Sequence, residues 1–424
     1  MTLYMMIWVL DTMMVGWYGG NIGVSSVGLS SEVLYTFVNI FIAVGVSVGI
    51  TSLVARKYGA KEIKQAEEYA TLGFFLGLIL AIIISSFLFV FSKNILTIAG
   101  AKGKILILGA SYMKIASVAV FFNMLNSLLN GVLRGYGNTK TPLLISALIN
   151  VFNLFFDWVL IFGKGPFKEM GVEGAAIATL IAQIAGLIYN ILYFIKKSKI
   201  KIKLNYIRNL RFHKLKELMR LSLPSSMQEG AFDIARLINT FMIMHIGSVA
   251  FAANQITTTI ESLSFMPGWG FSVAATTLVG HSIGEKKNLK AKEYANTCAI
   301  LGAIIMGFCG LLFIIFPKFL ISLFIQSKEI EVINLGALCV MIASVEQPVM
   351  ALGMIYGGSL KGMGDTKTPF KVSFISSWLI RLPLMYIIIY VLKLSVIYVW
   401  WVTAVQWIFE GIVLTLLFRH KFKK

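Results

Sequence analysis

The residues able to do chemistry in this sequence are acids and amides set in apolar surroundings. Asp11 stands in "VLDTMMVG" with no basic residue within a helical turn. In "LINVFNLFFDWVLIFG", Asn150, Asn153 and Asp157 fall at i, i+3 and i+7, one polar stripe on an otherwise apolar helix. In "QEGAFDIARLIN", Glu229, Asp233 and Arg236 share a face. Asp233 and Arg236 are spaced to satisfy each other, which leaves Glu229 as the more interesting carboxylate, with a structural role as the competing reading. Glu261 in "IESLSFMPGWGFS" precedes Pro267 and Gly268, a pair expected to break the helix and free backbone groups toward a cavity. Glu346, Arg381 and Glu410 are further charges in apolar runs, and Arg381 is expected to pair with one of the acids.

A charge at the centre of a membrane helix costs about 2.5–3.5 kcal/mol on insertion scales, so acids that persist there face a partner or an aqueous cavity. Carboxylate and amide oxygens suit a hard monovalent cation, and a buried carboxyl can instead carry a proton near neutrality. If Asp11 and Asp157 share a pocket, their mutual repulsion favours a proton on one of them. The competing reading of the same residues is helix-to-helix hydrogen bonding.

The elements that must position these groups are membrane helices. The 424 residues are 58% hydrophobic and 13% charged, with a mean hydropathy of +0.82. That composition excludes an ordinary soluble domain. Apolar runs long enough for a bilayer core of about 30 Å recur at about 3–18, 31–55, 70–92, 108–133, 141–163, 172–195, 218–245, 250–280, 295–316, 330–359, 369–391 and 396–418. The expected fold is therefore an all-α integral membrane protein of twelve transmembrane helices. The first, Leu3 to Tyr18, is short for a full crossing, so a short or truncated first helix is expected.

The net charge of +19 points to membrane orientation rather than to nucleic acid. Assigning loops alternately places 27 of the 38 Lys and Arg residues on one side, ten of them between Lys196 and Arg220, and eight on the other. Positive residues gather in the cytoplasm, so both termini are expected there, in a cell (plasma) membrane. The three cysteines fall inside apolar runs, which excludes a disulfide framework and a metal motif.

The chain repeats itself. "LRGYGNTKTP" from Leu133 returns as "LKGMGDTKTP" from Leu360, and "LVARKYGAKEIKQAEEYA" from Leu53 aligns with "LVGHSIGEKKNLKAKEYA" from Leu278 at nearly the same offset. Two matches at one offset indicate a duplicated half of six spans. The organisation expected is a lobe over 1–195, a basic cytoplasmic linker over 196–216, a second pseudo-symmetric lobe over 217–418 and a basic tail over 419–424. In the repeated loop, glycines supply a tight turn, Thr139 and Thr366 are expected to cap, and Pro142 and Pro369 suit a first helical turn. The loop lacks the spacing of a nucleotide-binding motif.

Taken together, "DTMMVG", "LVARKYGA", "LRGYGNTKTP", the Asn/Asn/Asp stripe, "GVEGAAIAT", "FMPGWGFSVAATTLVGHSIGE" and "LKGMGDTKTP" resemble the multidrug and toxic compound extrusion (MATE) family, in its archaeal and DinF-like branch, over nearly the whole chain. The resemblance implies cation-driven antiport by alternating access, with Na⁺ or H⁺ as coupling ion and no cofactor. By motif position it assigns a coupling site to Asp11, Asn153, Asp157 and Thr179. A looser match offers Glu229, Asp233 and Glu261 as a cation or substrate site in the second lobe. The expected partners are small cationic or amphipathic organic solutes and the lipid bilayer, with no nucleic acid and a monomer sufficing.

The leading expectation is a secondary antiporter exporting drugs or other organic solutes. The alternative is a lipid-linked or polysaccharide flippase of related architecture, disfavoured by the sparse Lys and Arg inside spans. A membrane-embedded lipid enzyme is less consistent still, because no nucleophile and base are paired in the sequence.

Overall fold

The computed structural model describes residues 14–15, 26–31, 33–34, 45–98, 101, 103–208, 212–324 and 330–422. Asp11 and most of the first expected span lie outside the described residues. The described chain is helical nearly throughout, an all-α membrane protein. Its long helices are α1 (Gly45–Gly59), α2 (Ile63–Ile98), α3 (Gly103–Gly135), α4 (Lys140–Ile161), α5 (Gly171–Lys196), α6 (Phe212–Met244), α7 (Ser248–Gly284), α8 (Asn288–Ile315), α9 (Ile330–Gly362), α10 (Lys367–Val391) and α11 (Val396–Lys421).

Eight of these, α2 to α5 and α8 to α11, are long and apolar enough to cross a membrane. Their exposed faces are apolar too, as at Ile83 and Val90 of α2 or Ile304 and Phe308 of α8. Such faces are stable only against lipid, where the helix satisfies every backbone group internally. α6 and α7 have the length to cross but contain no stretch among the described residues that is as apolar as those eight. They carry Glu229, Asp233 and Glu261.

The chain divides into two compact units, Met1–Ser226 and Met227–Lys424. In the first, α3 packs against α1, α2 and α5, and α4 against α5, around a core that includes Ile50, Leu53, Met124, Leu128 and Ile145. In the second, α9 is central and packs against α7, α8 and α11.

Each unit is sewn along one seam by the same device. Ser47 donates to the Ser127 carbonyl at 3.1 Å and Thr51 to the Gly131 carbonyl at 3.0 Å. Ser272 donates to the Met354 carbonyl at 2.7 Å and Thr276 to the Gly358 carbonyl at 2.8 Å. Hydroxyls reach a neighbouring backbone only where no side chain intervenes, which is why glycine stands at 131 and 358. A Cβ on Gly358 would lie 2.5 Å from the Ser272 carbonyl oxygen.

The duplicated loops fold alike, with Gly137 at φ +87° and Gly364 at φ +88°. The expected caps are displaced by one residue. Thr139 and Thr366 make no capping bond. Instead Asn138 Oδ1 accepts from the Thr141 N–H at 3.1 Å, and Asp365 Oδ1 from the Thr368 N–H at 3.1 Å. Asn and Asp place an acceptor closer to their own backbone than Thr does, and they win the N-terminal donors.

One further expectation is corrected. α7 continues through Pro267 without a break. Gly268 serves packing there, since a Cβ would meet the Met306 sulfur at 2.4 Å. The irregular helix is α10, where widened π-type turns over Ile375–Arg381 and Ile387–Val391 flank Pro383 and absorb its missing donor.

Candidate functional site

α4 and α5 build the first-unit site. Asp157 is fully buried, and Asn150, two turns earlier, is buried on the same helix. Between them Asn153 sends its amide to the Thr179 hydroxyl of α5 at 3.4 Å, and that hydroxyl donates to the Ala175 carbonyl at 3.1 Å. The tight packing that permits this contact comes from small residues, Gly174 lying against the Leu160 backbone. The structure thus brings Asn153 and Thr179 together on the stripe that holds Asp157. An acid, an amide and a hydroxyl on adjoining helices offer only oxygen ligands to a cation, the donor set of a hard monovalent ion.

A polar cluster that the sequence reading missed continues this face. Asn126 of α3 donates to the Gln183 carbonyl at 3.1 Å and to Gln183 Oε1 at 3.3 Å, while Asn190 donates to Asn126 and Asn130, each at 3.3 Å. Thr179, Gln183 and Asn190 recur at helical spacing on α5. The signal was available in "NMLNSLLN", where Asn123, Asn126 and Asn130 repeat the i, i+3, i+7 pattern of α4.

The second-unit candidates do not converge on one point. Asp233 and Arg236 form the expected intrahelical ion pair at 3.6 Å. Beside half-buried Glu229, Gln228 donates to Ser373 at 2.9 Å, and Ser373 in turn donates to Glu410, which also accepts from Ser376 at 2.7 Å. Glu261 is half-buried on α7. Arg381 departs from expectation, donating to Gln406 Oε1 at 3.2 Å rather than to a carboxylate among the described residues. A neutral amide at that register takes the hydrogen bond.

Part of the basic linker is docked. Glu67 at the start of α2 accepts from Lys203 Nζ at 2.6 Å, from the Lys201 N–H at 3.3 Å and from Tyr206 at 3.2 Å, and Glu68 pairs with Lys214. The hydrogen bond to Glu67 raises the Lys203 ammonium above its ordinary pKa. At the second repeated loop, burial alone would raise the Asp365 carboxyl, but hydrogen bonds from Lys421 and Thr368 outweigh it and hold it below the usual range.

A profile of the MatE family matches residues 1–159 and 224–387. The probable multidrug resistance protein NorM of Thermotoga maritima is 29% identical over 399 residues, covering 94% of this chain and 84% of its own length. The uncharacterized transporter YisQ of Bacillus subtilis is 27% identical over 91% of this chain and 84% of its own length. A crystal structure of MATE in complex with MaL6 superposes with a TM-score of 0.91 at 22% identity, covering all of this chain and 94% of that one. An outward-facing multidrug resistance MATE family transporter of the MOP superfamily gives 0.91 at 23% identity over the same shares.

Proposed function

This chain belongs to the MatE family, the multidrug and toxic compound extrusion transporters, and we propose that its coupling ion, Na⁺ or H⁺, binds at Asp11, Asn153, Asp157 and Thr179. It is a multi-pass membrane transporter that works as a multidrug efflux antiporter, not an enzyme. The observation carrying the site assignment is the fully buried Asp157 on the face where Asn153 meets Thr179.

An acid buried in apolar surroundings is stable only when neutralised or partnered, so loading and unloading an ion changes which arrangement of the helices is preferred. A tenfold difference in ion affinity between outward-open and inward-open states biases their populations by about 1.4 kcal/mol, and reciprocity requires the solute's affinity to follow. That difference is what converts an ion gradient into export.

The solutes are small organic molecules, as the names of the multidrug relatives support, and we take them to be cationic or amphipathic. The Lys and Arg asymmetry supports cytoplasmic termini in a plasma-membrane protein for which a monomer suffices.

The deciding experiment is export of a fluorescent cationic dye from protein in liposomes, with Na⁺ and pH gradients imposed separately, for wild type and Asp157→Asn. Export driven by one gradient and lost in the variant supports the assignment and names the ion. Undiminished gradient-driven export in well-folded Asp157→Asn removes it.

A further inference from the structure

We propose that the end of α5, the docked linker and the first three turns of α6 form a binding surface for anionic phospholipid headgroups, with the lipid phosphates held by basic side chains and the acyl chains lying along the apolar outer faces of the two helices. The surface belongs to the first unit and stands independently of the coupling role assigned to Asp157.

Its first support is the charge left over once the linker is docked. The acids packed against it are already occupied. Glu67 accepts from Lys203, from the Lys201 N–H and from Tyr206, Glu68 pairs with Lys214, and Glu217 accepts from Tyr69 and pairs with Arg56 at 3.8 Å. Lys196, Lys197, Lys199, Lys201, Lys216 and Arg220 stay exposed, and no carboxylate among the described residues pairs with them. Lys199 meets a neutral group, donating to the Tyr58 hydroxyl at 3.4 Å. Like charges gathered on one short segment repel one another until an anion lies among them.

The second support is that the segment is held rather than loose. Ile200 is fully buried, Ser198 donates to the Ile200 carbonyl at 2.6 Å, and the Lys203 N–H donates to Thr71 Oγ1 of α2 at 3.1 Å. The start of α2 gathers both parts of the surface, since Glu67 holds the linker and the adjacent Glu68 holds Lys214 of α6. A surface ordered before its ligand arrives loses little entropy on binding.

The occupant follows from what surrounds the cations. Ile188, Ile191 and Ile195 form an exposed apolar stripe on α5 that runs directly into Lys196 and Lys197. α6 turns Leu218 and Leu221 inward, Leu218 lying beside Gly49 of α1 and Gly73 of α2. Its opposite face exposes Phe212, Met219 and Leu223 at i, i+7 and i+11, with Lys216 and Arg220 among them. Leu204 in the linker is 70% exposed and Phe212 is 74% exposed. Water penalises such groups, whereas the boundary between headgroups and acyl chains accepts an apolar stripe and the basic side chains beside it together. A free anion would satisfy the lysines and leave the apolar groups wet. An anionic phospholipid covers both.

Native mass spectrometry of the purified full chain, titrated in detergent with phosphatidylglycerol, phosphatidylcholine or inorganic phosphate, tests this. The wild type should retain phosphatidylglycerol in clear preference to phosphatidylcholine. The joint variant Lys196→Gln, Lys197→Gln, Lys199→Gln and Lys201→Gln should lose that preference, because each basic residue beside an anionic surface contributes about fivefold in affinity. The same exchange at Lys93, Lys104, Lys164 and Lys168, exposed at the opposite ends of these helices, should leave it intact. All the substituted side chains are exposed, and should the linker variant still fail to fold, Lys216→Gln with Arg220→Gln on the outer face of α6 reports the same loss. Equal retention of the two lipids by the wild type overturns the proposal. So does an equal loss in both fourfold variants, which makes retention a matter of net charge. Displacement of phosphatidylglycerol by millimolar inorganic phosphate also overturns it, by showing a site for free anions.

Discussion

The two units share a scaffold and differ in what they bury inside it. Ser47 and Thr51 correspond to Ser272 and Thr276, and they bond the same backbone positions of the next helix but one. Even the left-handed residues repeat, Lys61 at φ 61° and Lys286 at φ 58°. The acids do not. At the loop's offset, Asp157 corresponds to Leu384 and Asn153 to Ile380, while Glu346 corresponds to Ala119 and Arg381 to Leu154. Duplication preserved the positions where backbones touch, because any larger side chain there separates two helices. It left free the inward positions, where the surrounding helices decide what is tolerated, and each unit acquired ionisable groups the other lacks.

The sharpest way to break this comparison is to remove the acid peculiar to the first unit. Asp157→Asn is expected to abolish gradient-driven export while leaving expression and folding intact, measured by dye flux in liposomes. If export persists, the asymmetry between the units has no bearing on coupling.

The seam offers the next largest effect. Gly358→Ala places a methyl 2.5 Å from a backbone oxygen, and Gly131→Ala places one 3.1 Å from the matching oxygen of Ser47. Overpacking of this kind costs about 1–3 kcal/mol. Thermal unfolding in detergent should show Gly358→Ala as the more damaging of the two, and the reverse order would mean the first unit is the tighter.

A smaller effect is expected at the docked linker, a contact built on the start of α2. Glu67→Ala removes the acceptor for Lys203, Lys201 and Tyr206 together. Limited proteolysis between Lys196 and Arg208 should accelerate several-fold, because local opening governs cleavage. Unchanged cleavage would show that Glu67 does not hold the linker.

The smallest difference lies in the repeated loops. Asn138 bonds Tyr193 at 2.8 Å and does not titrate, whereas Asp365 bonds Lys421 and carries a depressed pKa. A depressed carboxyl stabilises the fold fully above its unfolded value of about 4 and loses that contribution as pH falls through the lower folded value. Asp365→Asn should therefore flatten the acid limb of the stability profile by about 1 kcal/mol or less, given solvent screening at a half-exposed pair. Asn138→Asp should steepen it.

Much of the fold was legible before any coordinates. Hydropathy marked the eight apolar spans found among the described residues, and the repeated motifs marked matching seams, because lipid imposes its requirement segment by segment and a duplicated backbone contact leaves the same small residues behind. The stripe of Asn150, Asn153 and Asp157 was equally plain, since helical spacing alone puts them on one face. Side-chain partnership was not. Arg381 bonds Gln406 rather than an acid, Asn126 joins Gln183 and Asn190, and helix α7 runs straight through Pro267. Each of these depends on how far one helix is rotated and shifted along its neighbour, and a shift of one residue, about 1.5 Å of rise and a hundred degrees of turn, exchanges every partner without altering the hydropathy pattern. The amino-acid sequence by itself determined what crosses the membrane and which backbones lie close. Packing between helices decided which polar atoms meet.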